Sequence, residues 1–150
     1  MKKLFTIGYG SDIPEDFVKR LKDAGITAVL DVRREHSKSW CGSYKPGLRW
    51  MGKFLSDAGI GYGAWHSLGN NFDALWAYQE WLESKPTSTT SARGYLTMLQ
   101  YELKKGEDDV YSLLCSERKA YRGGKVNCHR VYVADTLVAM LGEGWEVEHI

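Results

Sequence analysis

Two short segments near the C-terminus concentrate side chains that can do chemistry. In Leu113-Leu114-Cys115-Ser116-Glu117 a thiol ends an apolar run, and Cys128-His129-Arg130 stands at the head of a helix-periodic run. A cysteine in the first turn of a helix faces unpaired backbone N–H groups and the positive end of the helix dipole, which stabilise its thiolate. We therefore predict a lowered pKa for Cys128, and a pKa raised by burial for Cys115.

Each thiol has a second interpretation. Cys115 ends a buried strand and can be a small core residue, and Cys128 can be a first-turn residue that only packs on the sheet. A metal site formed by both thiols, His129 and a carboxylate is the less favoured hypothesis. The spacings fit no standard zinc pattern, and adjacent helical residues point about a hundred degrees apart. We predict neither a metal nor a cofactor.

Charged residues near the thiols are candidates for substrate contact. Asp31 and Arg33 are two apart on one strand and point to the same side, so they form either a structural ion pair or part of a catalytic site. An arginine at a helix N-terminus opposes the dipole, and a bound anion or a carboxylate such as Asp31 or Glu117 would explain Arg130. The predicted catalytic residues are Cys115, Glu117, Cys128 and Asp31, and the predicted substrate-binding residues are Arg33, His129, Arg130 and Tyr9.

The composition is typical of one globular domain spanning residues 1–150. The chain has 43% hydrophobic and 26% charged residues and a net charge of +1, so its overall charge selects no anionic partner. Three cysteines without a CxxC pair argue against a disulfide framework. The apolar run that stops at Gly8 is too short for a signal peptide or a membrane span. We predict a cytoplasmic protein without a membrane partner, and the sequence leaves its oligomeric state open.

Alternating strands and helices predict the fold. Five apolar segments have strand character and five have helical periodicity, and the first helix can be capped by Ser11 or Asp12. This alternation predicts a three-layer α/β fold with a mostly parallel sheet of four or five strands and helices on both faces. The predicted strands are 3–9, 26–32, 60–65, 110–115 and 145–150, and the predicted helices are 13–24, 46–58, 72–82, 87–104 and 128–141.

Ligands of parallel sheets bind beyond the carboxyl ends of the strands. Those ends carry Tyr9-Gly10, Asp31-Val32-Arg33, His66 to Asn70 and Cys115-Ser116-Glu117, and the last helix starts nearby. We therefore expect Asp31, Cys115, His129 and Arg130 to surround one pocket.

The same residues resemble the bacterial and archaeal family catalogued as domain of unknown function 488. The resemblance is carried by Thr6-Ile7-Gly8-Tyr9, Asp31-Val32-Arg33, Gly59-Ile60 with Leu68-Gly69, Cys115-Ser116-Glu117 and Cys128-His129-Arg130. It implies an α/β fold with a polar rim and assigns no reaction. In layout, Asp31 to Glu35 after an apolar strand also resembles rhodanese-type domains, in which a later strand ends in a sulfur-carrying or phosphate-attacking cysteine. Here Ser116 to Arg122 breaks the loop pattern of those domains, so the analogy concerns layout only.

Two functions remain open from the sequence. The leading hypothesis is an enzyme for a small phosphorylated, nucleotide or nucleic-acid substrate, in which Cys128 or Cys115 is a nucleophile or a ligand and Glu117 or Asp31 a general acid or base. The alternative is a nucleic-acid binding module with structural thiols. It rests on segment 33–53, where six Lys or Arg residues alternate with Trp40, Tyr44 and Trp50.

Overall fold

A parallel sheet of five strands forms the centre of the molecule. The computed structural model describes residues 1–34, 48–84 and 91–150. Its central strands occur in the order β3-β2-β4-β1-β7, and all four neighbouring pairs are parallel. The predicted sheet is confirmed. The described strands are β1 (Lys2–Gly8), β2 (Ala28–Asp31), β3 (Gly61–Ala64), β4 (Tyr111–Cys115), β5 (Tyr121–Arg122), β6 (Lys125–Val126) and β7 (Trp145–His149).

Helices cover both faces of this sheet, which confirms the three-layer α/β fold. Helices α1 (Pro14–Asp23) and α2 (Leu48–Asp57) pack on one face. Helices α3 (Leu75–Glu83), α4 (Ala92–Lys105) and α5 (Arg130–Leu141) pack on the other, and a short 3₁₀ helix covers His66–Leu68. In the ranges that the structure describes, no helix combines the length and apolar character needed to cross a bilayer.

Side-chain alternation along the strands separates two hydrophobic cores. In β1, Leu4 belongs to the core beneath α3, α4 and α5, whereas Phe5 and Ile7 belong to the core beneath α1 and α2. Strand β4 divides in the same way between Leu113 and Leu114. Such strands are buried on both faces and therefore read as nearly continuous apolar runs in the sequence. Their register pairs Gly8 with Cys115, so the strand ends meet at one rim.

Helices α1, α3, α4 and α5 all begin later in the chain than predicted, and the starts of α1 and α5 bear on the predicted caps and on the thiols. Helix α1 is preceded by Ile13 as its N-cap, which has no side-chain capping bond, because Asp12 pairs instead with Arg20 at 2.6 Å and with Arg118 at 3.4 Å. The predicted caps Ser11 and Asp12 are therefore wrong. Helix α5 begins at Arg130, two residues later than predicted, with His129 as its N-cap.

A hairpin between β4 and α5 was not predicted. Strands β5 and β6 pair antiparallel and are joined by Gly123 and Gly124, whose φ angles are +58° and +76°. A two-residue hairpin turn of type I′ needs positive φ at both central positions, which glycine adopts without strain. The turn reverses the chain, and the Asn127 N–H then donates to the Ala120 carbonyl oxygen at 2.8 Å. The hairpin thereby returns Cys128 to the end of β4.

Candidate thiol site

Two thiols and one imidazole meet where β4 ends. The Sγ atoms of Cys115 and Cys128 lie 3.7 and 3.8 Å from His129 Nδ1, and the three atoms are within 4.8 Å of one another. His129 Nε2 lies 2.8 Å from the Val32 carbonyl oxygen. A carbonyl can only accept, so Nε2 carries a hydrogen and donates it. This bond turns Nδ1 toward the two thiols and fixes the tautomer of the neutral ring.

Neighbouring elements hold the imidazole in place. The Tyr78 ring, from α3, meets the His129 ring edge-on with centroids 5.0 Å apart. Tyr78 is fully buried, and its hydroxyl donates to the Leu68 carbonyl oxygen at 2.6 Å. A buried aromatic ring with a satisfied hydroxyl is a rigid support. The Val32 carbonyl, which directly follows β2, therefore sets the orientation of His129, and the Tyr78 ring of α3 provides its packing surface.

The contacts around Cys115 favour its thiolate. A hydrogen bond with Cys128 lowers the pKa of Cys115, and His129 and the Glu117 backbone N–H lower it further, against the opposing effect of burial. Burial also opposes charge on His129, but the neighbouring Cys115 raises the His129 pKa. The hydrogen bond with Cys115, together with burial, raises the pKa of Cys128. The directions of these shifts favour negative charge on Cys115, positive charge on His129 and a neutral thiol at Cys128.

The prediction of a lowered pKa for Cys128 is wrong, and so is that of a raised pKa for Cys115. Cys128 precedes the N-cap of α5, and the Arg130 backbone N–H at the helix start does lower its pKa. The hydrogen bond with Cys115 and burial outweigh this effect, since Cys128 is only 1% exposed and burial disfavours a charged sulfur.

The late start of α5 also removes the geometric argument against a metal. Cys128 and His129 do not diverge as adjacent helical residues would, because neither lies inside the helix. Two thiols and an imidazole at this spacing could hold a small thiophilic cation, with His129 Nε2 held by a carbonyl as in many metal sites. The same three groups also satisfy one another without an ion, since the Cys115 sulfur forms hydrogen bonds with both Cys128 and His129.

Arg130 holds the loop that follows Cys115 by hydrogen bonds to its main chain. Its guanidinium is fully buried and donates to Thr6 Oγ1 at 3.0 Å, to the Glu117 carbonyl oxygen, and to the Arg118 carbonyl oxygen at 3.5 Å. The predicted carboxylate partner of Arg130 is wrong, because Glu117 engages it through its main chain and Asp31 pairs with Arg33. Within the described residues, the guanidinium has no ion-pair partner. Its bonds hold the loop whose Glu117 N–H faces the Cys115 sulfur.

Asp31 and Arg33 form a second cluster. Arg33 Nε and Nη2 donate to the two Asp31 carboxylate oxygens at 2.9 and 2.7 Å, and Tyr62 Oη donates to Asp31 at 2.7 Å. Arg33 Nη1 reaches the Tyr9 hydroxyl at 3.4 Å. Burial opposes the charge on Arg33, but the carboxylate raises its pKa. Burial and the Asp31 charge both raise the pKa of Tyr62. Asp31 and Arg33 are nearly inaccessible and fully engaged, which fits the structural ion pair that the sequence left open.

The expected single pocket divides into two clusters. Tyr9 and Tyr62 belong to the side of the sheet beneath α1 and α2, whereas Tyr78 and Val32 belong to the side beneath α3, α4 and α5. The ion pair and the thiols thus lie on opposite sides of the rim, and the Val32 carbonyl bonded to His129 links them. The Glu117 side chain is exposed, and its carboxylate accepts from Asn127 Nδ2 at 3.5 Å.

Three participants were missed by the site prediction. Tyr62 binds Asp31, the Val32 carbonyl orients His129, and the His66 Nδ1 lies 2.6 Å from the Arg33 carbonyl oxygen. The sequence could have indicated the role of His66, because His66 directly follows the third strand and therefore lies at the carboxyl rim of the sheet. A main-chain carbonyl such as that of Val32 carries no side-chain signal, and its role depends on tertiary structure.

Most of the basic aromatic segment 33–53, including Trp40, Cys41 and Tyr44, lies outside the described residues.

Comparison with protein-family models and with curated proteins gives no match for this chain. The resemblance to domain of unknown function 488 therefore stays a prediction.

Proposed function

We propose that the protein is an enzyme that acts on a small anionic substrate, such as a phosphorylated or nucleotide compound, with Cys115 as its nucleophile. The observation that carries this proposal is the 3.7 Å approach of Cys115 Sγ to His129 Nδ1. A thiolate beside a protonated imidazole is both nucleophilic and matched with a proton donor. Cys115 retains 5% exposure at the rim, against 1% for Cys128.

The residues of the site have distinct roles in this proposal. The Cys115 sulfur forms a bond to the electrophilic atom of the substrate as the bond to the leaving group breaks, and His129 Nδ1 gives its proton to that group. The Val32 carbonyl accepts from Nε2 and thereby keeps the imidazole ring in one orientation. Arg130 is a positioning residue, because its guanidinium holds the loop that carries the Glu117 N–H.

Residues other than Arg33 and Arg130 must bind the negative charge of the substrate, because these two arginines already use their donors within the protein. The exposed residues Arg118 and Lys119 follow directly after the loop that Arg130 holds, and Arg118 stays exposed although its Nε pairs with Asp12 at 3.4 Å. Exposed cations at the rim of a polar site attract anionic substrates at little cost in desolvation. We assign to them the anion contact that the sequence had suggested for Arg33 and Arg130.

The rate of alkylation as a function of pH tests this proposal. Native protein is treated with iodoacetamide, and the labelled peptides are quantified by mass spectrometry. Cys115 should react faster than Cys128, with a midpoint below the value of about 8.5 for a free thiol. The sign follows from the lowered Cys115 pKa: the reactive thiolate persists as the pH falls through the range in which a free thiol protonates. His129→Gln should move the midpoint back toward that of a free thiol.

Cys41→Ser is the matched control, because it removes the third thiol of the chain and leaves Cys115, Cys128 and His129 unchanged in the sequence. It should leave the Cys115 profile unchanged. Labelling of Cys115 only after the protein is unfolded would refute its role as a nucleophile. Protection of Cys115 by a panel of nucleotides and phosphate esters would then narrow the substrate, and Arg118→Ala should weaken that protection.

A further inference from the structure

The second thiol has no task in the displacement described above. Cys128 is 1% exposed, yet its sulfur lies within 4.8 Å of both the Cys115 sulfur and His129 Nδ1. A buried cysteine packed only as a small apolar residue needs no such partners. The two thiols also differ in access, since Cys115 keeps 5% exposure at the rim and Cys128 lies behind it with 1%. An accessible attacking thiol and a second thiol within reach are the two components of thiol–disulfide exchange.

We propose that Cys128 is a resolving thiol, and that the site exchanges its dithiol for an internal Cys115–Cys128 disulfide with small anionic disulfides. This inference rests on the proposed role of Cys115 as the nucleophile, and it narrows the substrate to the disulfide form of a low-molecular-weight thiol that carries carboxylates. The exposed Arg118 and Lys119 suit such carboxylates.

The first step forms a mixed disulfide. The Cys115 thiolate attacks one sulfur of the substrate, the substrate S–S bond breaks, and the leaving thiolate takes the proton from His129 Nδ1. In the second step the neutral Nδ1 accepts the Cys128 proton as the Cys128 sulfur attacks Cys115. The internal disulfide forms, and the second substrate thiol leaves with that proton. Two electrons pass from the protein to the substrate, so one dithiol and one disulfide become one internal disulfide and two small thiols.

The geometry allows this closure. A disulfide needs an S–S distance of about 2.05 Å, and the two sulfurs start within 4.8 Å of each other. The Cys128 carbonyl accepts from the Val131 N–H at 3.2 Å, so rotation about side-chain torsions is the route to closure. His129 Nδ1 lies at 3.7 and 3.8 Å from the two sulfurs, so one atom can serve both proton transfers.

The test uses the full-length, reduced protein with oxidised glutathione as the probe. Mass spectrometry under non-reducing conditions should show a Cys115–Cys128 linked peptide pair in the wild-type protein, with little mixed disulfide. Cys128→Ser should instead accumulate one glutathione on Cys115, and this adduct should live at least about ten times longer than in the wild type. Cys115→Ser should form neither product, whereas Cys41→Ser should behave as the wild type. Circular dichroism and urea denaturation verify that each variant is folded, and Cys128→Ala provides a second form of the resolving mutant.

The outcomes separate this inference from the function on which it rests. Rapid alkylation of Cys115 together with an adduct equally long-lived in wild type and Cys128→Ser would overturn the resolving role and leave the nucleophile intact. Slow alkylation of Cys115 in the reduced protein would overturn both. Thiols that react only after a chelator is added, with a stoichiometric release of zinc, would show a metal site in place of a dithiol and would also overturn the resolving role.

Discussion

Replacing Gly8 by alanine tests how the loop after Cys115 is positioned. Gly8 ends β1, beside Cys115 in the register of the sheet. A Cβ at this position would overlap the Glu117 carbonyl oxygen and lie 2.7 Å from Arg130 Nη1. Backbone occupies this space, so the loop must move by about 1–2 Å to reach van der Waals contact. That movement separates Glu117 from Arg130 and shifts the Glu117 N–H away from the Cys115 sulfur.

The expected loss of stability follows from two contributions. A hydrogen bond from a charged donor contributes about 1.5–3 kcal/mol, and forcing an extra methyl group into packed structure costs about 1–3 kcal/mol. Gly8→Ala should therefore lower the free energy of unfolding by about 2.5–6 kcal/mol. For a domain of this size each kcal/mol lowers Tm by roughly 2–4 °C, so the shift should be about 5–24 °C.

Urea denaturation and thermal unfolding measure this change, and the rate of Cys115 alkylation in the folded variant measures its effect on the site. Gly61→Ala is the matched control, because Gly61 is also a strand glycine and its nearest neighbour would be the Ala28 Cβ at 3.4 Å, an ordinary contact. Its stability should stay within about 1 kcal/mol of the wild type. A comparable result for Gly8→Ala, with unchanged alkylation, would show that close approach of the backbone does not position the loop.

Two further predictions concern the other cluster and the core. Asp31→Asn should lower the free energy of unfolding by about 3–5 kcal/mol in urea denaturation, because it leaves the buried Arg33 charge without its carboxylate. The control is Asp57→Asn, which removes an exposed pair with Lys53 and should have a much smaller effect. Equal losses for the two variants would contradict the buried ion pair. Leu99→Ala should cost about 2–5 kcal/mol in the same assay, since Leu99 is fully buried on the core face of α4. A change below about 1 kcal/mol would place this leucine outside the core.

The fold was accessible from local patterns. Segments such as Leu113 and Leu114 at the end of β4 read as a buried strand because both faces of a parallel strand are covered, and the helices show their periodicity in the sequence. The rim that holds Asp31, Cys115 and His129 followed from the rule for carboxyl ends of parallel strands. Each of these inferences depends on residues that are close together in the chain or on a general property of the fold class.

The chemistry of the thiols depends on contacts between distant segments. The start of α5 at Arg130 moved Cys128 out of the helix, and the hairpin turn at Gly123 and Gly124 brought it beside Cys115. Strand alternation placed the Asp31–Arg33 pair on the other side of the sheet, although the same rim carries both clusters. Local periodicity says which residues are buried, but a pKa reflects the groups within a few ångström in space. Those neighbours of Cys115, His129 and the Glu117 N–H among them, are set by the packing of the whole domain.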